Sequence, residues 1–372
     1  MMREHFESLV QRLELRLPSS IHFVACIDGE ASDFVRFNRG RVRQAGSVTQ
    51  NSMDIRLISG QRHASATFSL AGDAAQDGDR LDSAVDRLCA LLPLLPEDPH
   101  LLLSDKVKST EQVSQNRLPV TSDVVKEVVE RSHSGPEPLD FVGIYAGGEI
   151  YQGLANSQGQ RNWFQTHTYN LDWCLYQSAD KAVKNNLAGT QWDSASFSKK
   201  MNSGRRQLQA LSRDSRKITP GRYRVYLAPS AVAEIVGMIS WGGFSHRCVE
   251  NRTTPLLKLV DGEKSLSPHV HISEVPGTGI APCFQASGFV RPDRVSLIDG
   301  GTHGGSLISP RSAKEHGVET NGAGEDEQPI ALEMASGSLP TGGLLDALGT
   351  GIWVSNLWYL NFSDRAAGRI TG

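Results

Sequence analysis

Residues 2–16 place Phe6, Leu9, Val10, Leu13 and Leu15 among charged neighbours at roughly helical spacing, which predicts an amphipathic helix. Pro18-Ser19-Ser20 ends it. From there to residue 70 the pattern shortens to alternating segments at 21–27, 33–38, 42–50, 53–59 and 63–70, broken at Gly40, Gly46 and Ser59-Gly60-Gln61. That predicts a meander of antiparallel strands. An Ala/Leu pattern over 74–95 returns to the helical period and stops at Pro93, Pro96 and Pro99, and a further helix is expected over 122–132. Runs at 139–146 and 148–155, joined at Gly147-Gly148, and alternation of aromatic and polar residues over 162–176 extend the sheet.

The stretch 181–216 is rich in Ser, Lys, Arg and Gln and reads as a linker or interdomain helix, helical around 198–211. A strand follows over 221–229, with Ser230 as a candidate cap for an apolar helix over 231–241. After Pro255 the chain is glycine-rich and strand-like. The expected architecture is α+β: a mixed N-terminal domain over 1–215, with an antiparallel sheet and helices, then a mostly β C-terminal domain over 220–372. A length of 372 residues agrees, since it exceeds what one core normally fills.

Composition narrows the function. The charge, 38 − 41 = −3, gives no support to a nucleic-acid binder acting through a strongly basic surface. Cysteines 26, 89, 174, 248 and 283 are scattered and odd in number, which argues against a disulfide framework and for a reducing, cytoplasmic setting. The acidic N-terminus does not read as a signal peptide, and no apolar run is long enough for a membrane span. Glycine, at 36 residues, is the unusual count, and it suggests many tight turns.

Three places could hold chemistry. Glu234 sits in an otherwise apolar helix, where zinc peptidases carry two histidines and a water-activating glutamate, but no histidine is present here, and a packing helix is the plain alternative. His269 and His271 would share one face of a strand with Ser273, and His303, His246 or Cys283 could complete a metal site if the fold brought them together. A solvated strand face is the alternative. The cluster Asp299-Gly300-Gly301-Thr302-His303-Gly304-Gly305-Ser306 could cradle an anion, but it lacks the P-loop ending and reads as a hairpin turn. The basic run Lys199-Lys200, Arg205-Arg206, Arg213 and Arg216-Lys217 has no interleaved aromatics and reads as a solvated face.

The order of segments resembles a family. Phe37-Asn38-Arg39-Gly40-Arg41-Val42-Arg43-Gln44, followed by Ile55-Arg56-Leu57-Ile58-Ser59-Gly60-Gln61, is similar to the N-terminal signature of the TldD/PmbA (TldE) modulator-of-gyrase family. So are Arg294-Val295-Ser296-Leu297-Ile298-Asp299-Gly300-Gly301, Ser312-Ala313-Lys314-Glu315-His316-Gly317 and Thr320-Asn321-Gly322-Ala323-Gly324, together with Ile352-Trp353-Val354 and the segment 361–372. TldD-like members hold a metal on a HExxxH helix, and TldE-like members are the partner subunit without those ligands. Aligned on Glu234, the two histidine positions are Ala233 and Met238, so the chain resembles the metal-free, TldE-like branch. The family's further cysteine ligand lies beyond the "TG" motif that ends this sequence, which implies a shortened C-terminal domain. The usual acidic turn is replaced by the uncharged Gln285, Ala286 and Ser287.

The resemblance implies a non-catalytic subunit of a metallopeptidase that degrades or matures unfolded peptides. No cofactor is expected in this chain, zinc is expected in a TldD-like partner, and an extended peptide would add to a sheet edge. Neither nucleic acid nor membrane is an expected partner. Two rivals remain: a stand-alone metallohydrolase using His269, His271 and His303, and a peptide-binding module with no catalytic partner.

Overall fold

The structure is a computed structural model and describes residues 2–178 and 181–372. Helix α1 (Met2–Arg16) turns Phe6, Leu9, Val10 and Leu13 inward, while Leu15 stays exposed. Three long strands follow, β1 (His22–Asn38), β2 (Arg41–Ser59) and β3 (Arg62–Ser69), where five short ones were expected. Gly46 does not break β2, because it faces Phe34 across the ladder, and a Cβ there would overlap that ring. The turns fall at Arg39-Gly40 and Gly60, where the backbone takes positive φ.

Helix α2 (Ala74–Leu91) is capped by Asp73, whose carboxylate accepts from the Gln76 amide. Next come β4 (Thr110–Val113), α3 (Thr121–His133), β5 (Asp140–Asn156), β6 (Arg161–Ser178), β7 (Lys181–Gly189) and α4 (Ser194–Leu211). Gly147-Gly148 is not a turn. Strand β5 runs through it, and a Cβ on Gly148 would strike the Ala31 carbonyl and the Ser32 backbone of β1. Nor is 181–211 a linker: β7 pairs with β6 from Tyr169 to Ser178, and α4 buries Phe197, Met201, Gly204 and Leu208. Its polar composition reflects elements buried on one side only.

The main sheet has the order β3-β2-β1-β5-β6-β4, with β7 also on β6. Side-chain alternation splits β1 cleanly. Ala25, Ile27, Val35 and Phe37 lie on the helix-covered face, packed with α1 and α2 at one end and α3 and α4 at the other. Val24, Cys26, Asp28 and Glu30 lie on the opposite face.

The second half has short elements: β8 (Val225–Leu227), α5 (Pro229–Ser240), α6 (His246–Glu250), α7 (Leu257–Val260), β9 (Ile272–Glu274), β10 (Val295–Asp299), β11 (Thr302–His303), α8 (Pro310–His316), β12 (Leu332–Met334), α9 (Leu344–Leu348), β13 (Ile352–Val354), β14 (Asn361–Asp364) and β15 (Arg369–Thr371). Strands β11-β10-β9-β12 form one sheet, and β8 pairs in parallel with β13. Ser230 is not a cap: α5 starts one residue earlier, at Pro229, whose missing N–H costs nothing there.

A buried carboxylate organises this half. Glu327 is fully buried and accepts from Ser245 Oγ at 2.6 Å, the Arg247 amide at 2.9 Å, and both the amide and hydroxyl of Ser309 at 2.9 Å. Ser245 and Ser309 are also the N-caps of α6 and α8. Each hydroxyl therefore accepts from its own helix and donates to Glu327.

The two halves meet on the open face of the main sheet. Phe284 packs with Val24, Ile58, Leu154 and Phe164. The Cys283 amide donates to Gln112, and Gln160 donates to the Gly288 carbonyl. Ion pairs Arg56–Glu325 (2.8 Å) and Arg311–Asp98 (2.6 Å) flank this junction. Among the described residues, no helix is long and apolar enough to cross a membrane.

Candidate functional site

The open face of β1, β2 and β5 changes character along its length. The first rows, Val24–Arg56–Asn156 and Cys26–Asp54–Leu154, are largely roofed by the Phe284 loop. The next two, Asp28–Ser52–Gln152 and Glu30–Gln50–Ile150, are polar and line a groove of about 560 Å³ with Phe164 at its side. Hydrogen bonds order them: across strands Gln152 donates to Asp28 at 2.6 Å and Gln50 to Glu30 at 2.5 Å, and along β1 Ser32 donates to Glu30 at 2.9 Å. Such cross-strand pairs hold side chains extended over the sheet.

The groove continues at one end into a pocket of about 180 Å³ between Cys26, Asp54 and Gln152 of the sheet and Phe284, Gln285 and Ala286 of the second half. On the opposite, helix-covered face a separate recess of about 450 Å³ is lined by Asp33, Ser47, Arg117, Thr121, Glu149 and His167. Hydrogen bonds from Ser47 and Thr121 hold the Asp33 carboxyl below its usual range. Desolvation, reinforced by the Asp54 charge, pushes the Cys26 thiol up to about 12, so it stays protonated at neutral pH. The groove thus presents acceptors, carboxamides and hydroxyls suited to holding an extended chain.

Beside it runs an unpaired edge. Strand β3 pairs only with Ser52–Ser59 of β2, so residues 41–50 carry no outer strand among the described residues. On an antiparallel edge, alternate residues point their N–H and C=O groups outward, which is the template for an added strand.

Helix α5 stands on the same face. Ser230 Oγ donates to Asn186 of β7 at 3.3 Å, and Asn186 lies in the row Arg36–Ile144–Asp172–Asn186. Ala233 and Glu234 are exposed on this helix, and Met238 is buried. An alanine methyl and a thioether cannot replace two imidazole nitrogens, and thioethers suit soft ions rather than zinc. Among the described residues, no group of three or more His, Cys, Asp or Glu could hold a metal ion. A zinc ion does not fit the residues of α5.

The His-x-His strand is not formed as expected. Strand β9 begins at Ile272, leaving His269 in a turn and His271 just ahead of the strand, because Pro268 and the Ser267–Val270 hydrogen bond bend the chain there. His271 Nδ1 lies 2.9 Å from Asp299 and 3.2 Å from the Gly300 amide. His303 Nε2 meets Ser306 Oγ at 3.3 Å, and burial lowers its pKa. Cys283 is directed elsewhere, to Thr110 and Gln112, and His246 packs edge-on against His316. The glycine cluster forms the β10–β11 hairpin, with Gly300 and Gly301 both at positive φ.

Sequence reasoning missed the groove and Glu327. The groove did leave a signal in the alternation of Val24, Cys26, Asp28 and Glu30. Glu327 left none, because its partners come from 18 and 80 residues away.

The family model described as the PmbA/TldA metallopeptidase C-terminal domain matches residues 220–372. Three solved structures share the fold at low identity. A candidate modulator of a DNA gyrase from Thermotoga maritima MSB8 superposes with a TM-score of 0.73 at 14% identity, over 97% of this chain and 83% of that one. TldE from Thermococcus kodakarensis gives 0.71 at 14%, over 99% and 89%. A candidate modulator of DNA gyrase from Bacteroides thetaiotaomicron VPI-5482 gives 0.71 at 13%, over 99% and 88%. No curated protein matches in sequence. Residues 220–372 thus match the PmbA/TldA metallopeptidase C-terminal domain, and the whole chain shares the fold of the TldE and modulator-of-gyrase structures.

Proposed function

We propose that this chain is the TldE-like, non-catalytic and peptide-binding subunit of a cytoplasmic metallopeptidase acting on unfolded peptides. One observation carries the reading: on α5 the positions that would hold the metal are Ala233 and Met238, the latter buried as a packing residue. Glu234 then activates no water, and zinc and catalysis belong to a TldD-like partner. The open β2 edge beside the polar groove supports peptide binding, because main-chain pairing accepts many sequences. Trp241, Trp353, Trp358 and Tyr359, all exposed in the C-terminal half, support a partner surface there, where large aromatic side chains are favoured. Five free cysteines support a reducing compartment.

The test is affinity capture of the tagged chain from native extract, then a peptidase assay with and without chelator. The reading expects a HExxxH-bearing partner and chelator-sensitive activity that depends on it. Capture of no such partner, with peptide binding by the chain alone, would favour the binding-module alternative.

A further inference from the structure

Arg291 is the arginine whose Nε is buried without an acceptor among the described residues. Arg252, Arg294 and Arg311 each meet a carboxylate within 2.7 Å. Among the described residues Arg291 forms no ion pair, and its guanidinium makes no hydrogen bond. Its Nε is sealed from solvent with no acceptor, while its Nη groups remain open. Burial pushes its pKa down, although the guanidinium stays charged. The nearby carboxylates are committed elsewhere: Glu274 takes the Ile330 and Ala331 amides, and Asp326 takes the Gln328 amide. Glu274 and Asp326 attract the guanidinium without bonding it, and a sealed N–H with no acceptor is costly and calls for one.

A glycine loop arches over this side chain. At Gly322 φ is +71°, and a Cβ there would lie 3.4 Å from Arg291 Cα and Cγ. A Cβ on Gly324 would lie 4.0 Å from Arg291 Nη2. The loop is fixed beforehand, since Thr320 donates to the Ile308 carbonyl and Asn321 bridges the Ile308 amide and the Ser306 carbonyl. The Ala323 and Gly324 amides form no hydrogen bond among the described residues. Successive free amides near a guanidinium supply the kind of donors from which anion sites are built, although Asp326 Oδ1 also lies close, 3.1 Å from a Cβ placed on Gly324.

We infer that the Arg291 guanidinium and the Gly322–Gly324 loop form a binding site for a carboxylate group. The site adjoins the groove, because the Arg291 amide donates to the Cys283 carbonyl at 2.6 Å, at the base of the loop whose Phe284–Ala286 tip lines the groove's end. The carboxylate is that of an extended peptide, either its C-terminus or an acidic side chain, and this source rests on the peptide-binding reading.

The test has two parts. Arginine-detected NMR follows the Arg291 N–H signals during titration with sodium acetate against sodium chloride at equal ionic strength. A saturable shift specific to acetate is expected, and its absence overturns the site whatever peptides do. Anisotropy then compares a labelled unfolded decapeptide as free acid, as C-terminal amide, and as amide with one internal Glu. Loss of one charge-assisted pair should weaken the amide by about tenfold or more, with recovery in the Glu peptide if the side chain is the source. Arg291→Gln should erase the difference and Arg291→Lys restore part of it. Asp326→Asn, an exposed change that removes a like charge, should tighten the free acid. Equal binding of all three peptides, unchanged by Arg291→Gln, overturns the inference but leaves the peptide reading standing. Binding of none, with the acetate shift present, overturns the peptide reading and keeps the site.

Discussion

Replacing Glu327 by Gln removes one charge and converts one acceptor oxygen into a donor. The carboxylate accepts four hydrogen bonds, two on each oxygen, all between 2.6 and 2.9 Å. A carboxamide satisfies one side only, and its NH2 faces either the Arg247 or the Ser309 amide, donor against donor. Hydrogen bonds to charged groups contribute about 1.5–3 kcal/mol each, and breaking a buried charged network costs about 3–5 kcal/mol. At about 2–4 °C per kcal/mol for a unit of this size, Tm should fall by on the order of 10 °C. Burial alone would raise the Glu327 pKa, but the Ser245 hydroxyl, the Ser309 amide, Ser312 and the Arg247 amide outweigh it and hold it below the usual range. The stability it supplies is therefore complete above the unfolded value of about 4.3 and lost as pH falls through the lower folded value. Calorimetry at pH 7 and across pH 3–5 tests both points. A Glu327→Gln melt within about 2 °C of the parent, or an unchanged acid limb, would refute the reasoning.

Three further outcomes are expected. Gly148→Ala should cost about 3 kcal/mol or more in denaturant unfolding, because the new methyl meets backbone of β1 rather than a movable side chain. Asp98 is held at about 2: partial burial opposes this, but the His100 amide, His63 and Arg311 prevail. Arg311→Ala should move its NMR-measured pKa upward, and the stability Asp98 supplies, present above about 4 and lost towards pH 2, should shrink accordingly. Cys26, with its thiol near 12, should alkylate far more slowly at pH 8 than a thiol of ordinary pKa; mass mapping of partial iodoacetamide labelling would show it early if the roof over the groove were absent.

Helical period located α1, α2 and α3 closely, since each buries a regular stripe against one sheet. Strand lengths were less legible. Gly46 and Gly147-Gly148 read as breaks, yet they sit inside strands, because what a glycine beside a ring or a neighbouring backbone supplies is room, and that requirement is written in a different strand. The same limit applies to the site. Ala233 and Met238 are visible as substitutions in the sequence, and burial of Met238 agrees with a packing role. The polar rows at Asp28 and Glu30 become a groove through pairing with Ser52 and Gln50 of β2 and with β5 residues 120 or more positions away. His269 and His271 look like a ligand pair on a strand, but the turn at Ser267–Val270 undoes the alternation on which that reading depended.

The central claim is that peptide hydrolysis belongs to a partner and not to this chain. The direct measurement is hydrolysis of a denatured peptide pool by the purified chain in excess zinc, alone and after addition of the HExxxH-bearing partner, with bound metal determined in parallel. The account predicts no turnover and no stoichiometric zinc for the chain alone, and chelator-sensitive turnover once the partner is added. Turnover by the chain alone, with one zinc per chain lost in a His269→Ala/His271→Ala variant, would contradict it.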